Sequence, residues 1–505
     1  MSGSLLALAP MRLEARAVGR GAPGALVART GTGAGRAAAG AATHRAAALA
    51  GGVRAVAVTG VAGGLSASLG CGDVVVADRV LRPDASLVAE IPAAALVAGA
   101  LRRDGLTVAV GAVVSTARLV RDDRQRQALA EATGALAVDL ETVALLADDW
   151  GRPTAVVRVV ADAPGRRLVS PATASDLARA LRVLQRTAPA VERWAAAVRP
   201  RTVVLAGPRS FCAGVERAIE TVRRGLALYG APLYVRRQIV HNEHVVAELE
   251  AIGAVFVREL EEVPDGATVV FSAHGVAPAV REEARRRGLT AVDATCPLVG
   301  KVHSEARRFR DRGYQLVLVG HPDHDETEGT LGEADGIRLV ETAADIARLD
   351  LDPQRPVAYI TQTTLAPDET AGTVAALEAR YPQLVGPPAS DICYATHNRQ
   401  EAVRAIAAVC DVVIVVGSAS SSNSRRLVEV SERAGAPAHL VDDEDDLDLD
   451  WLAGAATVGL SAGASAPEAI VTRVLRALAG AGPLDIRTEA VRNETVAFSL
   501  PQEVR

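Results

Sequence analysis

Beyond residue 200, short runs of Val, Ile and Leu recur, each ending in a small polar loop and followed by helical spacing of apolar positions: VVFSAHG, LVLVGHPDH, VAYITQTT, VVIVVGSASSSN and TVGLSAGAS. Runs that are apolar throughout belong to strands covered on both faces, and their alternation with helices predicts parallel α/β sheets. Ligands of such sheets gather at the carboxyl ends of the strands. That rule places His274, His324, Thr363, Ser421, Ser422, Asn423 and Ser465 where a site would form. The recurrence predicts three small lobes, about 202–297, 298–392 and 393–490, rather than one long sheet. Upstream, an Ala-rich helical pattern ends in VERWAAAVRPRTVVLAGP, where RPR precedes a new β-type run. A domain boundary is therefore expected near residues 195–202, with one domain over 1–198 and another over 202–500.

Composition narrows the possible partners. With 55 basic against 60 acidic residues and 3% aromatics, the chain offers neither the basic face nor the stacking surface that nucleic acid needs. The uncharged run from Ala55 to Gly72 is interrupted by glycine and serine, which predicts strand and loop and no membrane insertion. No basic stretch precedes the first apolar run, so an export signal is not expected, and a cytoplasmic location follows. The acidic stretch DDEDDLDLD at 442–450 reads as a solvated loop. Lys301 is the only lysine, and the arginine excess reads as background composition.

Five cysteines in so long a chain fit a reducing compartment, where thiols stay free for metal or redox work. Cys71 and Cys410 read as small hydrophobes. Cys212, Cys296 and Cys393 each open a helical pattern, in FCAGVERA, ATCPLVGKVH and DICYATHNRQEAV, a position that favours thiolate. Three thiolates around a metal or cluster leave one coordination position open for chemistry. The alternatives are buried structural cysteines, or a structural zinc in a nucleotide- or phosphate-sensing binding protein. Structural zinc sites usually bring close ligand pairs such as CxxC, and none of the three has a close cysteine partner.

Taken with VRRQIVHNEHVV, FSAHGV, ETEGTLG, TQTTL, GSASSSNSRRL and SAGASAPE, these segments resemble the LytB-type 4-hydroxy-3-methylbut-2-enyl diphosphate reductase family over about residues 202–500. The resemblance implies a trefoil of three α/β lobes around one [4Fe-4S] cluster held by Cys212, Cys296 and Cys393. It also implies reductive removal of an allylic hydroxyl, with a ferredoxin or flavodoxin as electron donor. Glu326 would relay the proton with Thr363, and His241, His274, His324, Ser421, Ser422, Asn423 and Ser465 would hold the diphosphate. Asp325 departs from the proline common in this family; its charge is expected to raise the proton affinity of Glu326.

The first domain carries VARTGTGAGRAA, VAVTGVAGGLSASLGCGDVVVADRV and AVDLETVALLADDWGRPTAVVRVVADAP. In that order these segments resemble the nucleoside phosphorylase and nucleosidase superfamily, an α/β fold. By that match Glu14 contacts the water or sugar, Glu141 the ribose and Asp162 the purine. Ala161 stands where serine is usual and Leu140 where methionine is common. Two expectations remain: a purine nucleosidase or phosphorylase, or a relic that binds a nucleotide or partner and adjusts the attached reductase.

Overall fold

Strand Ala55–Gly64 has no charged side chain and is buried along most of its length, which suits a central place in a sheet covered on both faces. In the computed structural model, which describes residues 4–164, 171–352 and 354–505, it anchors an eight-stranded sheet. It pairs parallel with Leu5–Ala9 and Thr154–Asp162 and antiparallel with Ala137–Asp139. Pairings through Val108–Ser115 and Val74–Leu81 return to Thr154–Asp162, so these strands close a ring. Small and branched side chains of these strands, among them Val56, Val58, Val75, Val113 and Val156, share one buried apolar cluster.

Two compact units emerge. The first comprises Met1–Val203, Asp443–Val458 and Thr472–Ile486; the second comprises Val204–Asp442, Gly459–Val471 and Arg487–Arg505. The acidic stretch read as a solvated loop thus belongs to the first unit. Asp445 pairs with Arg102 at 2.8 Å, Asp448 with Arg103 at 3.2 Å, and Glu444 with Arg473 at 2.7 Å. Opposite charge, invisible when the run is read locally, gives it a docked conformation.

Three sheets carry the second half of the chain. Leu233–Arg236 lies between Ala254–Val257 and Thr268–Phe271, with Thr290–Asp293 beyond, all parallel. Gln315–Val319 is flanked in parallel by Arg338–Val340 and Val357–Thr361. The last sheet runs Ala438–Val441, Val412–Val416, Thr457–Ala462, Arg201–Gly207, Leu484–Ala490. Strand Arg201–Gly207, expected in the first lobe, therefore sits inside the third sheet. Its apolar run is matched on one side by the buried strand Thr457–Ala462, which follows it by some 250 residues, and no local pattern encodes that choice. Among the described residues no helix is long and apolar enough to cross a membrane.

Candidate active site

In the second unit the carboxyl ends of these strands face one cavity. Its lining includes Cys212, Cys296 and Cys393, His241, His274 and His324, Glu326, Thr363, Ser421, Ser422, Asn423 and Ser465. Every residue singled out in this half for cluster, proton or diphosphate work is thus brought to one place. Local folding explains the aim of several. Cys212, Cys296, Cys393, His324 and Ser421 are each the residue that caps a helix amino terminus, where unpaired backbone N–H groups point outward. Pro297 starts the helix after Cys296 because its missing N–H costs nothing there.

The thiols sit in an apolar, desolvated wall. Burial pushes the Cys296 thiol up to about 11 and Cys393 up to about 12, with nearby Cys212 adding to both. At these two helix entrances the expected lowering is therefore outweighed by desolvation, which disfavours an isolated thiolate. Cys393 Sγ accepts from Thr396 N at 3.2 Å and lies 3.0 Å from Thr396 Oγ1. Gly214 provides the closest approach: a Cβ there would fall 2.7 Å from Cys296 Sγ and 3.8 Å from Cys212 Sγ. Three thiols lining one cavity, two of which resist ionisation alone and two of which have side-chain space withheld between them, suit a cationic metal centre that would supply the missing charge.

Beside them Glu326 is buried, and both carboxyl oxygens are engaged by Thr363, its N–H at 2.7 Å and its hydroxyl at 2.9 Å. Desolvation raises its pKa to about 7; the Thr363 bonds oppose the rise and the charge of Asp391 adds to it. The expected influence of Asp325 does not appear, because that carboxylate is drawn to Arg237 at 2.6 Å. Sequence reasoning missed Asp391. It lies far from Glu326 along the chain, and its only local signal is nearness to Cys393.

Opposite lies a wall of hydrogen-bonding groups. His241 and His274 stack with centroids 4.1 Å apart, and His324 stands edge-on to both. His324 Nδ1 accepts from Glu326 N at 3.1 Å, which leaves the proton on Nε2 as a donor. Burial lowers the pKa of all three rings, that of His324 to about 4. Ser465 Oγ donates to the His241 carbonyl at 3.0 Å, and Thr364 Oγ1 donates to Ser422 at 3.2 Å. The Asn423 side-chain amide and His241 Nε2 are buried without a partner. Buried polar atoms are seldom left so, and here they await a polar ligand. Arg237, Thr364 and Thr396 were also missed; only the spacing of Thr396 from Cys393, that of a capped helix turn, hinted at a role.

The first unit has its own polar cluster. Glu14 is buried and accepts from Val61 N and Met11 N, each at 2.7 Å. Desolvation raises its pKa, Arg158 and the two backbone bonds oppose the rise, and Glu141 adds to it. Glu141 accepts from Gly33 N at 2.8 Å. Arg158 is fully buried against Asp139 and Thr142 and stands opposite Gly60 in the sheet; a Cβ at Gly60 would strike both Arg158 and Glu14. The structure thus brings Glu14 and Glu141 together. Asp162 lies further along the same strand, tied to buried Arg126 by an ion pair. Arg126, Arg158 and Asp139 were not foreseen.

Comparison with known proteins gives two matches along the chain. Residues 203–479 match the family model described as LytB protein, and residues 18–196 that of the phosphorylase superfamily. A protein of Mycobacterium tuberculosis named 4-hydroxy-3-methylbut-2-enyl diphosphate reductase 1 is 57% identical over 309 residues, covering 60% of this chain and 94% of that one. A reductase of the same name from Azoarcus is 54% identical over 304 residues, covering 60% and 97%. The solved E-1-hydroxy-2-methyl-but-2-enyl-4-diphosphate reductase of Plasmodium falciparum is 38% identical with a TM-score of 0.59, covering 61% of this chain and 97% of that chain.

Proposed function

The chain belongs to the LytB family, and from that premise we propose how its residues divide the work. The second half is a 4-hydroxy-3-methylbut-2-enyl diphosphate reductase, the last enzyme of the methylerythritol phosphate route. The substrate gains two electrons and two protons, loses its allylic hydroxyl as water, and gives isopentenyl and dimethylallyl diphosphates. One observation carries the assignment of roles: three thiols, a buried glutamic acid with a raised pKa and a wall of imidazole, hydroxyl and amide groups, with His241 Nε2 and the Asn423 amide unpartnered, line one cavity.

In this reading Cys212, Cys296 and Cys393 hold a [4Fe-4S] cluster. When bound, it supplies Lewis acidity and electrons toward the C–O bond. A ferredoxin or flavodoxin of the cytoplasm provides the electrons. His241, His274, Ser421, Ser422, Asn423 and Ser465 bind the diphosphate, and His324 presents its Nε2–H to the substrate. Glu326 holds its proton near neutral pH because its burial disfavours the anion, and it yields that proton as the hydroxyl leaves. Thr363 fixes both oxygens so that the acid keeps one orientation.

For the first unit the proposal is nucleoside recognition, with Glu14 and Glu141 on the sugar. The ion pair from Arg126 to Asp162 favours binding without cleavage, since this carboxyl must leave a buried guanidinium before it can reach a base. Anaerobic purification followed by iron, sulfide and zinc analysis tests the main reading. About four iron and four sulfide per chain, a paramagnetic signal on reduction and turnover of the hydroxylated diphosphate are expected; stoichiometric zinc without iron would sink it. Base release from a panel of purine nucleosides tests the first unit, and the expected result is none.

A further inference from the structure

Asp325 opens the helix Asp325–Leu331, between His324 and Glu326. Its Oδ1 accepts from Arg237 at 2.6 Å, and its Oδ2 lies 3.8 Å from His274 Nδ1. Arg237 follows strand Leu233–Arg236 with φ of 57°, a left-handed backbone that a non-glycine residue adopts where its surroundings enforce it. The enforcing contacts are visible: the same guanidinium is gripped by Glu259 and Glu328. The carboxylate of Asp325 is therefore anchored from one sheet and presented to imidazoles from both that sheet and its neighbour.

Those imidazoles have a proton deficit. His241 Nδ1 lies 3.3 Å from Gln238 Oε1; with its proton donated there, the buried Nε2 is bare and meets a phosphate oxygen only after taking up a proton. The charged groups facing the cluster are mostly unfavourable to that uptake. Arg425 acts on His241 and His324, Arg237 on His274, His321 on His324, and the rings oppose one another. Asp325 is the carboxylate acting in the favourable direction, on His241 and His324.

We propose that Asp325 is a positioning residue for substrate binding: held by Arg237, with its carboxylate and the ring nitrogens of His241 and His274 all within 4.8 Å of one another, it favours proton uptake by these imidazoles as the diphosphate enters. The proton comes from solvent as the anion enters, so binding and proton uptake are linked. This inference rests on the reductase reading above.

The test uses the full-length, cluster-loaded protein. Binding of the hydroxylated diphosphate without reductant is followed by calorimetry in buffers of different ionisation enthalpy near pH 8, which reads protons taken up. Wild type should take up a proton, and Asp325→Asn should take up clearly less. In steady state the alkaline rise in KM for Asp325→Asn should move down by roughly one pH unit, about a tenfold higher KM near pH 8. kcat should change by less than KM, and Asp325→Glu should restore the wild-type profile. No proton uptake by wild type, or an unchanged KM profile in Asp325→Asn, overturns the inference. Wild-type protein that binds the substrate but never turns it over overturns the reductase reading instead, and that arm involves no variant.

Discussion

In the role proposed for it, Glu326 must remain a carboxylic acid at the pH of the cell and still release its proton on demand. Burial raises its pKa to about 7, Asp391 adds to the rise, and Thr363 restrains it through two hydrogen bonds. The sign follows directly. The acid form is the donor, so kcat should be flat below about pH 7 and fall about tenfold per pH unit above it; a limb that rises with pH would remove the assignment. Glu326→Gln keeps the volume but cannot deliver a proton, so turnover should drop by at least about a hundredfold while the visible spectrum of the cluster is retained. At this scale Glu326 was legible because its neighbours spell a recognisable segment. Asp391 was not, since a charge that acts through space leaves no mark in local spacing. Asp325 was noticed and misread: beside Glu326 in sequence, it is turned to Arg237 in the fold.

Helix entrances do much of the aiming, and two residues there lie beside the cysteines proposed as ligands. Gly214 leaves room where a Cβ would lie 2.7 Å from Cys296 Sγ, far inside normal contact. Gly214→Ala should therefore cost most of the bound iron while circular dichroism stays native; full iron content would show that the thiols can move aside. Lys301, one turn into the helix capped by Cys296, reaches the carbonyls of Ala389 and Ser390 at 3.0 and 3.1 Å and the carboxylate of Asp391 at 3.1 Å. It thus ties the second cysteine segment to the approach of the third. Lys301→Met should lose iron to a chelator several-fold faster than wild type, and equal rates would reduce the lysine to a surface charge. Strand ends and helix starts could be read from the chain because both have local chemistry: continuous apolar runs, then a capping residue, then proline or glycine. The place of Arg201–Gly207 in the third sheet could not, since any apolar strand can satisfy an apolar neighbour and the partner is chosen by the fold as a whole.

At the scale of the molecule, the first unit is not continuous in sequence. The phosphorylase-superfamily match ends at residue 196, yet Asp443–Val458 and Thr472–Ile486 belong to the same compact unit. Two kinds of contact bind them to it, and their magnitudes differ. The Arg102–Asp445 and Arg103–Asp448 pairs are partly exposed and worth about 0–1 kcal/mol each. Burial counts for more: Leu447, Leu449, Leu452, Val474 and Leu478 are almost wholly buried, at about 1.5–3 kcal/mol apiece. Fully buried Trp194 donates its indole N–H to Gly480 O at 2.9 Å, and buried Arg201 donates to Ala481 O and Leu452 O. Cutting the chain at the boundary that the sequence suggests would leave those donors unsatisfied, at roughly 1–3 kcal/mol each, and the apolar face bare. A fragment of residues 1–203 should therefore be insoluble, or should melt without cooperativity, whereas the full chain should protect Trp194 from fluorescence quenchers. A soluble fragment with a sharp thermal transition and a shielded tryptophan would show that the later segments are accessories. If the prediction holds, the reductase half cannot be separated from its amino-terminal companion by a single cut, because stretches within its own length complete the other fold.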